Sequence, residues 1–303
     1  MKFPKLKNPS ILAPMAGIND IAFRALARKY GAGMTCTEFV SSIAVSRGIE
    51  RVLAGIGKSG SPESVQIFGK NPEDFVSAAR ILEKRFDVID INCGCPVEKV
   101  MKQGAGSSLM KNPKMIGEIV EAVASQIKKP VTVKIRAGID AKRINAVKAA
   151  KIAEKAGAAA VAVHGRTQEQ GYSGKADWNI IKKVKKAVSV PVIGNGDVDS
   201  PETLKQRMDE SGVDYVMIGR AAMPNPYIFR QINDYLKKGS YGSKPGLEQF
   251  REYLALAKKF SARFSSIKAH AMDFTKGVEG GARIREKITK CKSLSGLKKS
   301  IQM

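Results

Sequence analysis

Val88-Ile89-Asp90-Ile91-Asn92-Cys93-Gly94-Cys95-Pro96-Val97-Glu98-Lys99 is the stretch on which the reading of this chain turns. Its first residues are a β-branched run, the pattern of a strand buried on both faces in a parallel sheet. Gly94 and Pro96 then end the strand. An amide and a thiol therefore stand where strand gives way to loop. In a barrel of parallel strands, that rim carries the chemistry.

The same rhythm runs outward in both directions. Apolar strand-like runs occur at 11–16, 34–40, 64–68, 88–92, 131–135, 160–164, 190–194 and 215–218. Helical patterns separate most of them, at 20–30, 72–86, 113–127, 144–156, 180–188 and 201–210, and one at 226–236 closes the series. Asn71 ahead of Glu73-Asp74, and Ser200 ahead of Pro201-Glu202, read as helix N-caps. Eight strands alternating with about eight helices over about 230 residues predict an α/β fold, the (β/α)₈ TIM barrel. A doubly wound open sheet is the alternative, but no GxGxxG follows the first strand. Residues 41–61 are irregular, either a short helix or an active-site loop. Residues 239–245, Gly-Ser-Tyr-Gly-Ser-Lys-Pro, read as a linker, and the remainder as two to four helices. The expected division is a barrel over 1–238 and a small all-α domain over 239–303.

The chain has 303 residues and a net charge of +24. Either a generally basic proteome or a polyanionic partner produces such a charge. Its distribution favours the second. Residues 239–303 hold 14 Lys+Arg against 5 Asp+Glu, about twice the net charge density of residues 1–238, as a nucleic-acid-binding appendage requires. No run of about 18 apolar residues exists, so no membrane span is expected. The start, MKFPKLKNPS, is too short and polar for a signal peptide. Four cysteines in a chain of this length point to a reduced, cytoplasmic setting rather than a disulfide framework. With two histidines in all, and Cys93-x-Cys95 lacking zinc-ligand spacing, no metal site is expected.

Several residues can carry chemistry. Gly194-Asn195-Gly196-Asp197 and Gly219-Arg220 follow the seventh and eighth strands, where barrels often hold a phosphate on backbone N–H groups. Ordinary tight turns are the plain alternative there. Lys134 lies inside Val131-Thr132-Val133-Lys134-Ile135-Arg136, and a lysine in a buried strand is costly unless it points into a polar site. Alternation puts Arg136 on the same face. Gln66 is a second polar residue embedded in a strand, suited to bonding a planar ring. His164 ends the sixth strand and has either a structural or a site role. Cys95 could be an inert thiol, a nucleophile or a general acid. Cys93 falls on the same side if the strand persists that far.

Taken in order, Ala13-Pro14-Met15-Ala16-Gly17, Val65-Gln66-Ile67-Phe68-Gly69, Asp90-Ile91-Asn92-Cys93-Gly94-Cys95-Pro96 with Lys99-Val100, Gly104-Ala105-Gly106, Val133-Lys134-Ile135-Arg136, His164-Gly165-Arg166-Thr167, Gly194-Asn195-Gly196-Asp197 and Met217-Ile218-Gly219-Arg220 make the chain resemble the tRNA-dihydrouridine synthases. The likeness covers nearly the whole barrel and only loosely the tail. It implies FMN in a TIM barrel, NADPH as electron donor, and reduction of uridine in tRNA, with hydride delivered to C6 and a proton to C5. Carried over by motif, Cys95 is the proton donor. Pro14, Met15, Ala16, Gln66, Lys134, His164, Asn195, Gly196, Asp197, Gly219 and Arg220 are the FMN contacts, and Asn92, Arg136 and Arg166 the substrate contacts. A monomer is expected, with the basic tail gripping tRNA. Cys93 departs from the pattern, since that family position is usually not cysteine. A flavin barrel acting on a small pyrimidine, such as a dihydroorotate or dihydropyrimidine dehydrogenase, would share the FMN motifs but leave the basic tail unexplained. A flavin-free phosphate-binding barrel and a non-catalytic RNA-binding barrel are further alternatives.

Overall fold

A computed structural model describes residues 1–301. Eight parallel strands close into a barrel in sequence order. They are β1 (Ser10–Leu12), β2 (Met34–Ser41), β3 (Glu63–Phe68), β4 (Val88–Cys93), β5 (Val131–Arg136), β6 (Ala160–His164), β7 (Val192–Asn195) and β8 (Tyr215–Ile218). β8 pairs with β1 through Ile11 and Met217, so the doubly wound alternative is excluded. Each strand is enclosed on both faces, which is why the strands read as near-continuous apolar runs.

Alternation along the strands sorts the core into two layers. Ile11, Met34, Cys36, Val88, Ala162, Ile193 and Met217 pack together inside the barrel. Ile89, Ile91, Cys93, Val133, Ile135, Val161 and Val163 pack between the sheet and its surrounding helices. Nearer the open end, the inward positions of β3, β4 and β5 turn polar, with Gln66, Asp90 and Thr132 buried and hydrogen-bonded to one another. This break in an otherwise apolar interior prepares the site above it.

The helices keep close to their expected spans: Ile21–Lys29, Pro72–Leu82, Pro113–Ala124, Ala146–Lys155, Trp178–Ala187, Pro201–Ser211 and Ile228–Lys238. Ser200 caps its helix, accepting from Thr203 N at 3.1 Å. Asn71 does not cap: its amide instead donates to Asp74 at 3.4 Å, so the acid of the first turn takes the side chain that was expected to bind the backbone. Residues 41–61 contain two short helices, Ser42–Ser46 and Glu50–Gly55. The first strand is shorter than expected and stops at Leu12, which leaves Pro14, Met15 and Ala16 in the loop above the barrel.

After Gly239, whose φ of +75° ends the preceding helix, residues 239–245 have no regular structure. Four helices follow, Gly246–Lys259, Phe264–Phe274, Gly281–Lys290 and Leu294–Ser300. The first packs on the barrel helix Ile21–Lys29. There Tyr253 Oη donates to Asp20 Oδ2 at 2.7 Å, and His270 stacks on Phe23 at 4.7 Å.

Candidate active site

The C-terminal ends of the strands open onto a cavity of about 1080 Å³, whose wall includes residues of β2 to β8 and of the loop after β1. Such a volume admits a ligand the size of a nucleotide cofactor. The loop after β1 closes one side. Asn19 holds it, donating to the carbonyls of Ala13 and Cys36, both at 2.8 Å.

Cys95 reaches the cavity because β4 stops at Cys93 and the chain turns. The Asn92 side-chain oxygen accepts from Gly94 N at 3.1 Å and from Cys95 N at 2.9 Å, a turn suited to asparagine. Behind it, Gly106 adopts φ +61°, and a Cβ there would lie 2.8 Å from the Cys95 carbonyl oxygen. Ser107 N donates to that same oxygen at 3.0 Å. The Gly104-Ala105-Gly106 motif thus backs the Cys95 loop, a role its sequence alone did not reveal. Cys95 is 8% exposed. Burial pushes its thiol above the ordinary value, against the pull of Val97 N–H and the charges of Arg136 and Lys134. A thiol protonated at neutral pH suits a general acid and disfavours a thiolate nucleophile.

Cys93 corrects an expectation. The strand does persist to Cys93, but the turn at Gly94 breaks the alternation. Cys93 points outward into the sheet–helix layer and is fully buried, while Cys95 faces the cavity.

Lys134 and Arg136 both line the cavity, as alternation required. Lys134 Nζ donates to Asn195 Oδ1 at 3.1 Å, and Asn195 in turn donates to the Met217 carbonyl at 3.0 Å. Burial first, and the neighbouring Arg136 charge second, push the Lys134 ammonium down to about 8. His164 is 7% exposed and pushed down to about 2 by burial and by the charges of Lys134, Arg136, Arg166 and Arg220. It is a neutral imidazole.

The two inner arginines hold the loop that follows β6. Arg136 Nε donates to Gly94 O at 2.7 Å, and one of its terminal nitrogens donates to Thr167 O and Gly171 O, both at 2.8 Å. Among the described residues the other terminal nitrogen has no partner. Arg166 commits all three nitrogens, to Ser173 O, Gly174 O and Asp197 Oδ1. That loop presents Tyr172, an exposed ring 5.3 Å from the Arg220 guanidinium and 5.8 Å from that of Arg136. Its sequence carried no signal for the site. Asp90, buried beneath Gln66, was also passed over, though alternation with Asn92 places it on the inward face.

Across the barrel, the ends of β7 and β8 form a cradle. Within the described residues, the backbone N–H groups of Gly196, Asp197, Gly219 and Arg220 have no hydrogen-bond partner. Gly196 has φ +124°, and a Cβ there would meet the Ala176 methyl at 2.5 Å and the His164 ring at 3.0 Å. Asp197 accepts from Arg166 at 2.7 Å, from Arg220 at 2.9 Å and from Ala176 N at 2.7 Å. Its carboxylate orients Arg220, and only its backbone is suited to face an anion. Free N–H groups beside an arginine make a phosphate site.

A family profile described as dihydrouridine synthase (Dus) matches residues 11–302. A tRNA-dihydrouridine synthase B of Shewanella oneidensis is 45% identical over 239 residues, covering 78% of this chain and 74% of that one. The protein of the same name from Pseudomonas putida is 43% identical over 252 residues, covering 82% and 75%. Among solved structures, a 2-naphthoyl-CoA reductase complex superposes with a TM-score of 0.60 at 12% identity, over 76% of this chain and 50% of that one. An old yellow enzyme homologue from Zymomonas mobilis does so with a TM-score of 0.56 at 13% identity, over 82% and 94%. At such identities the structural likeness speaks to the fold alone. The family match over nearly the full length, together with relatives above 40% identity, shows that the chain belongs to the dihydrouridine synthase family.

Proposed function

We propose that the protein reduces the C5–C6 double bond of uridines in tRNA to give 5,6-dihydrouridine, with FMN in the barrel mouth, NADPH as electron donor and Cys95 as proton donor. The observation that carries this reading is a buried thiol, pushed above its ordinary value by burial, on one wall of a cavity whose far rim offers free backbone N–H groups and Arg220.

The residues present fit FMN. The N–H groups of Gly196, Asp197, Gly219 and Arg220, with the Arg220 guanidinium, suit its phosphate. Asn195 and Lys134 bridge from that rim toward Gln66, and Pro14, Met15 and Ala16 form an apolar wall. Lys134, which lines the cavity, would supply positive charge to a reduced, negatively charged ring held there. Bound and reduced, FMN supplies a hydride to the uracil ring.

The chain's own residues do the rest. Cys95 holds its proton until C5 of the uracil becomes basic, then gives it up. The thiolate left behind lies near Arg136 and Lys134, whose charges favour it. Solvent returns the proton. Asn92 and the free nitrogen of Arg136 are donors suited to the uracil carbonyls. Arg166 acts by holding the loop that carries Tyr172. A stacked base offers no access to both faces, so the uridine must be turned out of the tRNA into the cavity. We assign catalysis to residues 1–238 and tRNA backbone binding to the basic helices of 239–303, in a cytoplasmic monomer. No described helix is long and apolar enough to cross a membrane.

The test is direct. The purified protein should be yellow and, given NADPH and tRNA lacking the modification, should form dihydrouridine detectable by mass spectrometry of the digested RNA. Reduction of a free pyrimidine with none of tRNA would overturn this reading in favour of a small-molecule dehydrogenase.

A further inference from the structure

A continuous chain of hydrogen bonds runs under the cavity to the Cys95 loop. Gln66 Nε2 donates to Asp90 Oδ2 at 2.6 Å. Asn92 Nδ2 donates to Gln66 Oε1 at 2.6 Å. The N–H groups of Gly94 and Cys95 donate to Asn92 Oδ1 at 3.1 and 2.9 Å. Thr132 Oγ1 supports the far end, donating to Asp90 Oδ1 at 2.6 Å. Asp90, Gln66, Asn92 and Thr132 are all buried.

The chain has a polarity. An amide side chain can be turned over, exchanging donor for acceptor, and its environment decides which way it sits. At the Cys95 end, two backbone N–H groups can only donate, so Asn92 must show them its oxygen. Its nitrogen then faces Gln66, which must answer with oxygen and turn its own nitrogen to Asp90. Asp90 must accept. Turning either amide over would set donor against donor in a buried site, which is costly. Each amide keeps one further N–H, and both side chains line the cavity. The floor therefore presents donors, which suits the carbonyl-bearing edges of flat rings.

Asp90 itself does not line the cavity. We propose that Asp90 is a positioning residue: acting through Gln66 and Asn92 as the terminal acceptor, it fixes the turn that carries Cys95 and sets the donor character of the cavity floor. This deepens, and rests on, the reading of Cys95 as proton donor. The same carboxylate could instead serve as counter-charge to Lys134 or merely fill space, and the variants below separate these roles.

Asp90→Leu keeps the number and branching of the side-chain heavy atoms and removes the acceptor. Asp90→Asn removes the charge and keeps an acceptor, because the Thr132 hydroxyl can turn to accept from the new amide nitrogen while its oxygen stays on Gln66. Amide hydrogen exchange at Gly94 and Cys95 is measured on the cofactor-free proteins, and kcat and KM for tRNA on the loaded ones. In Asp90→Leu, exchange at the two amides should quicken about tenfold, the loss of roughly one buried hydrogen bond. Its kcat should fall by a similar factor or more with KM for tRNA unchanged. Asp90→Asn should stay within about twofold of wild type on both readouts. Unchanged exchange and kcat in folded Asp90→Leu overturns the proposal, as does an Asp90→Asn variant as impaired as Asp90→Leu, which would point to charge. If circular dichroism shows Asp90→Leu unfolded, Gln66→Met cuts the same chain one link nearer and must quicken exchange at Gly94 and Cys95 likewise, or the proposal fails. Exchange does not depend on turnover, so a failure of the Cys95 assignment itself would appear separately, as full tRNA reduction by Cys95→Ala.

Discussion

Cys93 and Cys95 stand two residues apart and face opposite sides of the barrel wall: Cys93 packs in the sheet–helix layer, and Cys95 lines the cavity. Their substitutions should therefore separate stability from chemistry. Cys95→Ala should leave FMN binding and NADPH oxidation intact while dihydrouridine formation collapses by about two orders of magnitude or more, the usual yield of a positioned general acid. Cys93→Ala should keep activity and lose about 1 kcal/mol to the small cavity it leaves. Thermal melts and mass spectrometry of the RNA read the two effects. Loss of RNA reduction in Cys93→Ala with unchanged melting would contradict this division.

The barrel was legible because parallel strands buried on both faces leave a strong apolar signal at a regular interval, and Gly or Pro marks where each ends. Lys134, Gln66 and Asn92 were legible because a polar residue inside such a strand needs a reason. What stayed hidden depended on contacts distant in sequence. Arg166 was expected to contact substrate, but its donors go to Asp197 and to carbonyls of the loop that follows it. Asp197 looked like a ligand, but its carboxylate is taken up by two arginines. Cys93 was misjudged because one turn at Gly94 resets the alternation. Tyr172 sits in an exposed loop with no periodicity to betray it.

Lys134 should trade stability for charge. Its folded-state value, pushed down to about 8, lies below its unfolded value of about 10.4. Between these values the unfolded chain binds the proton and the folded one does not, so this group's contribution makes stability rise with pH across that window. Below about pH 8 the buried ammonium is a cost to folding. Lys134→Met should therefore melt higher than wild type at pH 7 in the cofactor-free state, and the difference should shrink above pH 8. The same variant should bind FMN more weakly. Melting curves taken at pH 6 to 10 check the first, and flavin titration the second. A wild-type protein more stable than Lys134→Met at pH 7 would refute this account.

His164, held down to about 2, should show no titration between pH 5 and 8 when its ring is followed by NMR. It cannot supply the proton at neutral pH, so His164→Asn should change the height of the pH–rate profile without moving its acid limb. The unfolded chain gains a proton near pH 6.5 that the folded chain refuses. This group therefore withdraws stability as pH falls below about 6.5. His164→Asn should lose less stability than wild type between pH 6.5 and 4.

The Arg166–Asp197 pair should matter more than its neighbour Arg220–Asp197. Arg166 is 3% exposed at its side chain and Arg220 55%. Removing Asp197 leaves a buried guanidinium without its counter-charge. Asp197→Ala should thus cost about 2–3 kcal/mol, at or just below the roughly 3–5 kcal/mol for breaking a fully buried pair, because Asp197 is itself partly exposed. Arg220→Ala should cost under about 1 kcal/mol while weakening FMN binding through loss of a phosphate contact. A double-mutant cycle between Arg166 and Asp197 should return a coupling that persists in high salt.

For tRNA, the contrast lies among the basic residues of the tail. The side chains of Lys258, Arg263, Arg283 and Lys287 make no ion pair or hydrogen bond among the described residues. Arg285 instead donates to the Thr275 carbonyl at 2.7 Å and ties two helices together. Free cations can neutralise phosphates and release counterions, whereas a cation committed to a carbonyl cannot do so without breaking its bond. Each of Lys258, Arg263, Arg283 and Lys287 that touches the backbone should, when changed to Ser, lower the slope of log affinity against log salt by about 0.7–0.9 and weaken binding of every tRNA alike. Arg285→Ser should instead lower the melting temperature and leave the slope nearly unchanged. Filter binding from low to moderate salt, paired with melts, measures both. If the slope is unmoved by all four free cations, the tail is not where this chain holds RNA.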